Sequence, residues 1–159
     1  MKVRKDFVTN SSSSSFILGF TSSDNVEREL KDGFPEWAAK YFDTVNNDVC
    51  QAEQFDRDEV IKRVRDEMQY SVRWKVEDYY RRRTGCSYSE AIDYINTDKG
   101  QKEVESYLEE IVNNTIREMD GKSIFVEVSY SDNDGYYFSE LEHEIMPRVD
   151  STIIRFSHH

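Results

Sequence analysis

Alternating apolar residues near both ends of the chain predict short β-strands. Residues Phe16, Leu18 and Phe20 alternate with their neighbours and predict a strand over about residues 15–20. The same period of two returns in the last quarter of the chain and predicts three more strands, over about 124–130, 136–138 and 152–156. An Asp-Asn-Asp-Gly segment between the first two of these late strands is typical of a turn.

Helical spacing dominates the middle of the chain. The longest predicted helix runs from about Arg57 to Arg83, where one stripe of apolar residues continues without a Gly or Pro inside it. Acidic residues open this helix and three arginines close it, an order that the helix dipole favours. Further along, Ser87 and Glu90 form a capping box that predicts the start of another helix.

The distribution of these elements predicts an α+β fold. An isolated strand cannot satisfy its backbone hydrogen-bonding groups, so the N-terminal strand must pair with the late strands. About four helices, one of them long, would then cover one face of a small, mostly antiparallel sheet. We therefore expect a single domain over residues 1–159, in which the two ends of the chain meet.

Charge narrows the range of partners. The chain carries 32 acidic and 21 basic residues, for a net charge of −11. Residues 86–159 hold 16 of the acidic residues but only 6 of the basic ones. This balance disfavours nucleic acid and anionic membranes, whose binding depends on basic patches. It suits a basic protein partner, although an acidic surface also simply keeps a protein soluble.

Cysteine usage and hydropathy favour an intracellular protein. Cys50 and Cys86 are too few and too far apart for a disulfide framework or a zinc ribbon, and we interpret both as reduced thiols. The N-terminus lacks the apolar stretch of a secretory signal, and no segment approaches the ~20 apolar residues of a membrane span. A cytoplasmic location is therefore expected.

Five consecutive serines directly precede the first predicted strand. They serve either as a polar lead-in to the strand, as a cradle of hydroxyls and backbone amides for an anion, or as phosphorylation sites. The run lacks the glycines and lysine of a nucleotide-binding loop. The candidate residues are Ser11, Ser12, Ser13, Ser14 and Ser15.

A second candidate site lies near the C-terminus, where all three histidines follow residue 142. Imidazole and carboxylate groups together are suitable ligands for a divalent metal ion. The candidate ligands are Asp132, Asp134, His143 and His158. Their spacing fits no standard metal motif, and ordinary turn chemistry also explains the two aspartates.

The end of the long helix mixes aromatic and basic residues. Tyr79 and Tyr80 adjoin three arginines, a combination that can bind single-stranded nucleic acid. The complementarity of arginines and the helix dipole explains the cluster equally well, so nucleic acid is disfavoured. Trp74 and Tyr79 on the same helix would serve either a dimer or the core, which leaves the oligomeric state open.

Both ends of the chain resemble a set of small proteins of bacteria and phages. The segment RKDFVTNSSSSSFI at the start is similar to the start of these proteins. The segments Ser-Asp-Asn-Asp-Gly, Leu-Glu-His and Ser-His-His near the end are similar to their C-terminal motifs. The set has no established activity, so the resemblance implies only an intracellular protein of bacterial or phage type, in which the two end motifs occur together.

Two functions from different classes follow. The first is a non-enzymatic protein-interaction or accessory factor with an acidic surface. The second is a metal-dependent hydrolase or phosphoester-binding protein that uses the C-terminal Asp/His set and the serine loop. Both depend on one structural expectation, that the serines, carboxylates and histidines meet at one rim of the sheet.

Overall fold

The computed structural model of this protein describes residues 13–158. The chain divides into two compact units, one formed by the segments up to Arg57 and from Met119 onward, the other by Asp58–Glu118. The described part contains three strands, β1 Ser13–Phe20, β2 Ile124–Ser131 and β3 Thr152–His158. It also contains six α-helices, α1 Val26–Asp32, α2 Phe42–Gln51, α3 Arg57–Thr84, α4 Tyr88–Ile95, α5 Asp98–Glu118 and α6 Tyr136–Glu140.

The sheet unites the two ends of the chain, as the sequence predicts. The strand order is β2-β1-β3, and β1 is antiparallel to both of its neighbours. β1 therefore forms the centre of the sheet, with both late strands beside it. The predicted α+β class, with a small antiparallel sheet and one long helix, is confirmed.

One face of the sheet supplies the core of the first unit. Phe16, Leu18 and Phe20 alternate along β1 and are fully buried. They pack with residues of β2, α1, α2 and the segment after α6 in one hydrophobic cluster. The period of two in the sequence therefore marks the face that joins this cluster, because alternate side chains of a strand point to the same face. Ile17, on the opposite face, is also fully buried, so β1 is buried on both faces at this point.

The predicted strand over residues 136–138 is wrong, since this segment forms the helix α6. Gly135, with a φ angle of +107°, precedes the helix and lets the chain turn sharply after β2. Tyr137 then packs against Tyr41 with ring centroids 4.4 Å apart, and Phe138 against Tyr130 at 6.3 Å. These aromatic contacts with the core stabilise a helical turn in a segment whose residue types alone favour a strand.

The second unit is helical. The apolar side of α3 packs against α4 and α5 through a cluster of buried residues, Val72, Val76, Ile95, Val104 and Leu108. The tyrosine rings at 80 and 94 stack with centroids 3.9 Å apart. The predicted capping box is present, because the Ser87 hydroxyl accepts from the Glu90 backbone N–H while the Glu90 carboxylate accepts from the Ser87 backbone N–H.

The helices and the two cysteines bear on membrane insertion and on disulfide bonding. Within residues 13–158, none of the helices combines the length and the apolar character that crossing a membrane requires. Both cysteines are free thiols, with Cys50 exposed and Cys86 half-buried.

Candidate functional site

The serine run and the C-terminal motifs meet at one rim of the sheet. Ser13 pairs with Ser131 on β2 and with His158 on β3. Side chains directly opposite each other on antiparallel strands have Cβ atoms about 4.5–5.5 Å apart. The topology therefore brings hydroxyl-bearing and imidazole-bearing segments together, as expected from the sequence.

A fully buried carboxylate, Glu142, lies beside this rim. The Ser14 hydroxyl donates to its Oε1 atom at 2.9 Å, and the Asp132 backbone N–H donates to its Oε2 atom at 3.1 Å. Arg155 places Nη2 3.8 Å from Oε1 and donates from Nε to the Ser14 hydroxyl at 3.1 Å. Glu142 thus connects β1, β3 and the turn after β2 in one network.

Charge compensation explains why this carboxylate can be buried. A carboxylate removed from water costs several kcal/mol unless a cation and hydrogen-bond donors replace the lost hydration. Arg155 supplies the positive charge while its side chain stays 30% exposed, and its guanidinium lies 5.7 Å from the centre of the Phe16 ring. The arginine therefore neutralises the interior without being fully desolvated itself.

The same region contains a candidate set of metal ligands. Asp132, Glu142 and His143 each offer one ligand atom, and these atoms lie within 4.8 Å of one another. The His143 Nε2 atom lies 3.6 Å from the Glu142 Oε2 atom. The structure thus brings together two of the four predicted ligands, and adds a glutamate that the sequence analysis did not include.

The other two predicted ligands lie elsewhere. Asp134 is exposed and lines a different pocket, described below. His158 is also exposed, and it lies three positions after Arg155 along β3. Because side chains alternate along a strand, His158 belongs to the face of the sheet opposite Arg155 and Ser14.

The serine run is divided among several roles. Ser11 and Ser12 lie outside the described residues. Ser14 is fully buried, and its hydroxyl donates a hydrogen bond to an anionic group of the same chain, the carboxylate of Glu142. The Ser15 hydroxyl lies 2.7 Å from the Ser129 hydroxyl across the strand pair. Anion binding or modification of the run as a whole stays a prediction.

Neither Glu142 nor Arg155 was among the predicted site residues, although the sequence holds a signal for the first. Leu141 and Ile145 are fully buried on one side of a single π-helical turn, and Glu142 belongs to the same buried side. A charged residue within such an apolar face requires a partner. No local pattern identifies that partner as Arg155, because Arg155 lies on the following strand, β3, and not at a helical spacing from Glu142.

The first unit also contains a strongly acidic cavity of about 350 Å³. The end of α2, the strand β2 and the segment after it supply its walls. Its carboxylates belong to Asp48, Glu127 and Asp134, and Tyr130 and Phe138 supply aromatic surface. We call this cavity the acidic pocket.

Tyr130 anchors the wall of the acidic pocket. Its hydroxyl donates to the Asp48 carboxylate at 2.9 Å, and the residue is 4% exposed. Burial, and secondarily the negative charge of Asp48, raise the pKa of the Tyr130 hydroxyl far above its ordinary value of about 10. The folded protein therefore retains this proton at a pH where the unfolded chain releases it.

Because the pKa of Tyr130 is higher in the folded protein than in the unfolded chain, alkali should destabilise the wild type more than the Tyr130→Phe variant. The contribution of Tyr130 is complete below pH ~10 and decreases as the pH rises above that value, by about 1 kcal/mol at pH ~11. We expect the urea midpoint to decrease less between pH ~8 and pH ~11 in Tyr130→Phe than in the wild type. The exposed Tyr136→Phe variant is the control, and an equal decrease in all three proteins would contradict the prediction.

Comparison with known proteins gives no relative: no family model, curated protein or solved structure matches this chain.

Proposed function

We propose that this protein is a non-enzymatic interaction factor that binds a basic segment of a partner protein, with the acidic pocket holding an arginine or lysine side chain. The observation that carries this proposal is the composition of the pocket. Three carboxylates and two aromatic rings line it, and the described lining residues include no lysine or arginine.

The geometry favours a planar cation. The Phe138 ring is only half-buried and lies 6.3 Å, centroid to centroid, from the buried Tyr130 ring, so Phe138 is the ring that offers aromatic surface in the pocket. A guanidinium group binds such a surface through stacking and cation–π attraction while it donates to carboxylates at the rim. An ammonium group gains the charge attraction but not the stacking, so we expect arginine to bind more tightly than lysine.

The net charge of the chain supports the same partner class. A total of −11 raises the local concentration of cationic segments and accelerates their association at low ionic strength. Binding to a basic segment should therefore weaken as salt increases, with a steeper dependence for segments of higher charge.

The experiment uses a short synthetic peptide in which arginine alternates with glycine, and its lysine and glutamate counterparts. Titration calorimetry at low salt should show binding in the order arginine, lysine, glutamate. In the double variant Asp48→Asn/Asp134→Asn the affinity for the arginine peptide should decrease about tenfold, because each ion pair contributes up to about 1 kcal/mol.

The matched control changes charge by the same amount elsewhere in the first unit. Glu36 and Asp43 are exposed and lie outside the pocket, so Glu36→Gln/Asp43→Asn carries the same net charge as the pocket variant. It should retain the wild-type affinity within about twofold. If both double variants lose affinity equally, only the overall charge attracts the peptide and the pocket has no specific role.

A second candidate is the metal-dependent hydrolase or phosphoester-binding protein, favoured by the proximity of Asp132, Glu142 and His143. The contacts of Glu142 reduce the support for it. Its two oxygen atoms already accept from Ser14 and from a backbone N–H, and a guanidinium group lies beside one of them. A metal ion there would have to compete with this positive charge, and elemental analysis of untagged protein distinguishes the two candidates.

The interaction factor is proposed to act inside a bacterial cell, as an accessory protein of a phage or mobile element. This part of the proposal rests on the two terminal motifs and on the free thiols, Cys50 and Cys86.

A further inference from the structure

A pair of large aromatic residues lies exposed on α3 in the second unit. Tyr70 is 81% and Trp74 is 57% exposed. With Ser71 and Lys75 they line a shallow cavity of about 540 Å³. Aromatic side chains that adjoin each other on a surface are typical of interaction sites, because single exposed apolar residues are common but contiguous patches are not.

The helical period places charged residues in line with this pair. Glu67 lies about two turns before Trp74 and Arg81 about two turns after it, and both are exposed. A spacing of seven residues returns nearly to the same side of a helix. Glu67, Tyr70, Trp74 and Arg81 therefore form one stripe, on the side of α3 away from the buried Val72. We call it the α3 stripe.

The α3 stripe is complementary to itself. We propose that two copies of this chain form a dimer in which their α3 helices pack antiparallel through the α3 stripes. The two-fold axis of this dimer passes through the contact between the two Trp74 residues. The two Trp74 side chains then meet at the centre, and Glu67 of each copy faces Arg81 of the other. An ion pair forms on each side of the axis, and a carboxylate has enough acceptor sites to share its existing contacts.

Other arrangements of the same two helices lack this match. A parallel pair would place Glu67 against Glu67 and Arg81 against Arg81. An antiparallel pair centred between Tyr70 and Trp74 would place Glu67 against Glu77. Like charges in such positions disfavour both arrangements, so the charge order selects the register centred on Trp74.

This dimer goes beyond the proposed function, because the α3 stripe belongs to the second unit and the acidic pocket to the first. The helix is about 42 Å long, and only about half of it, toward the C-terminal end, would contribute to the contact. A contact of this size belongs to the weak class of protein interfaces, and we expect a dissociation constant on the order of 10–100 µM.

Sedimentation equilibrium of the full chain, at about 5–500 µM, tests the proposal. The wild type should change from monomer to dimer over this range. Trp74→Ala should raise the dissociation constant at least about thirtyfold, the effect typical of a central aromatic residue in an interface. Tyr79→Ala is the matched control, because Tyr79 is 53% exposed on the same helix but lies outside the stripe.

A charge exchange tests the register. Glu67→Arg and Arg81→Glu alone should each weaken the dimer at least about tenfold, and the double variant should return to within about threefold of the wild type. Circular dichroism of each variant shows that the helix is retained.

Three results would overturn the proposal: a monomer at every concentration, a dimer that Trp74→Ala leaves unchanged, or single charge variants that the double variant does not restore. A fourth result, quenching of Trp74 fluorescence by a single-stranded oligonucleotide in a monomeric Trp37→Phe protein, would assign this face to nucleic acid and reject the dimer.

Discussion

Replacing Arg155 by methionine should lower the free energy of unfolding by about 3 kcal/mol. The substitution keeps most of the apolar stem over Phe16 but removes the positive charge 3.8 Å from Glu142. The fully buried carboxylate would lose its permanent cationic partner, and only the His143 imidazole, 3.6 Å from Oε2, would remain beside it. Removal of one partner from a buried pair costs about 3–5 kcal/mol, and the two remaining hydrogen bonds of Glu142 place this case at the lower end.

A double variant separates the charge from the packing. Glutamine at 142 carries no charge. Its single oxygen can accept from the Asp132 N–H, and its amide nitrogen can donate to the Ser14 hydroxyl, which no longer has Arg155 as a donor. We therefore expect Arg155→Met/Glu142→Gln to recover about 2 of the 3 kcal/mol lost in Arg155→Met. Urea unfolding followed by circular dichroism measures the loss, and amide hydrogen exchange of β1 assigns it to the first unit.

The matched control is Arg148→Met, which removes an arginine paired with Glu144 at 3.1 Å. Both side chains of that pair are more than half exposed. Solvent screens such a pair, and the loss should stay below about 0.5 kcal/mol. If Arg155→Met costs no more than this control, or if the double variant recovers nothing, Glu142 does not depend on the guanidinium charge.

The fold was predictable where a local pattern has one structural solution. The alternation from Phe16 to Phe20 predicts a strand, and its backbone groups can be satisfied only by the late strands. The long valine stripe similarly allows only a helix with one packed side, which α3 shows at Val72 and Val76.

For the candidate site, the sequence predicted which segments meet but not the contacts between their side chains. The meeting of the two ends follows from strand pairing, but the bond between Ser14 and Glu142 joins residues 128 positions apart. Its existence depends on the orientation of the π-helical turn that carries Glu142, which aromatic packing of α6 against the core sets. The acidic pocket was beyond sequence reasoning for the same reason, since α2, β2 and the segment after β2 each supply a carboxylate.

Gly100→Ala should also lower the free energy of unfolding by about 3 kcal/mol, although propensity alone predicts the opposite sign. Glycine inside a helix costs about 1 kcal/mol relative to alanine, so α5 by itself would gain from the substitution. Gly100 is however buried against the end of α4, where an added Cβ would meet the Tyr94 carbonyl oxygen and lie 2.8 Å from the Ile95 Cα atom. Backbone atoms cannot rotate away, so α4 must move and its packing is lost.

Thermal unfolding followed by circular dichroism measures this change, and Ser106→Ala provides the propensity control. Ser106 is exposed on the same helix, and alanine there should be neutral or stabilise by a few tenths of a kcal/mol. Gly85→Ala tests a different effect, because Gly85 has a φ angle of +71° and no neighbouring atom within 4 Å of an added Cβ. It should cost only about 1 kcal/mol of backbone strain. A Gly100→Ala protein as stable as Ser106→Ala would show that α4 does not approach α5 at this glycine.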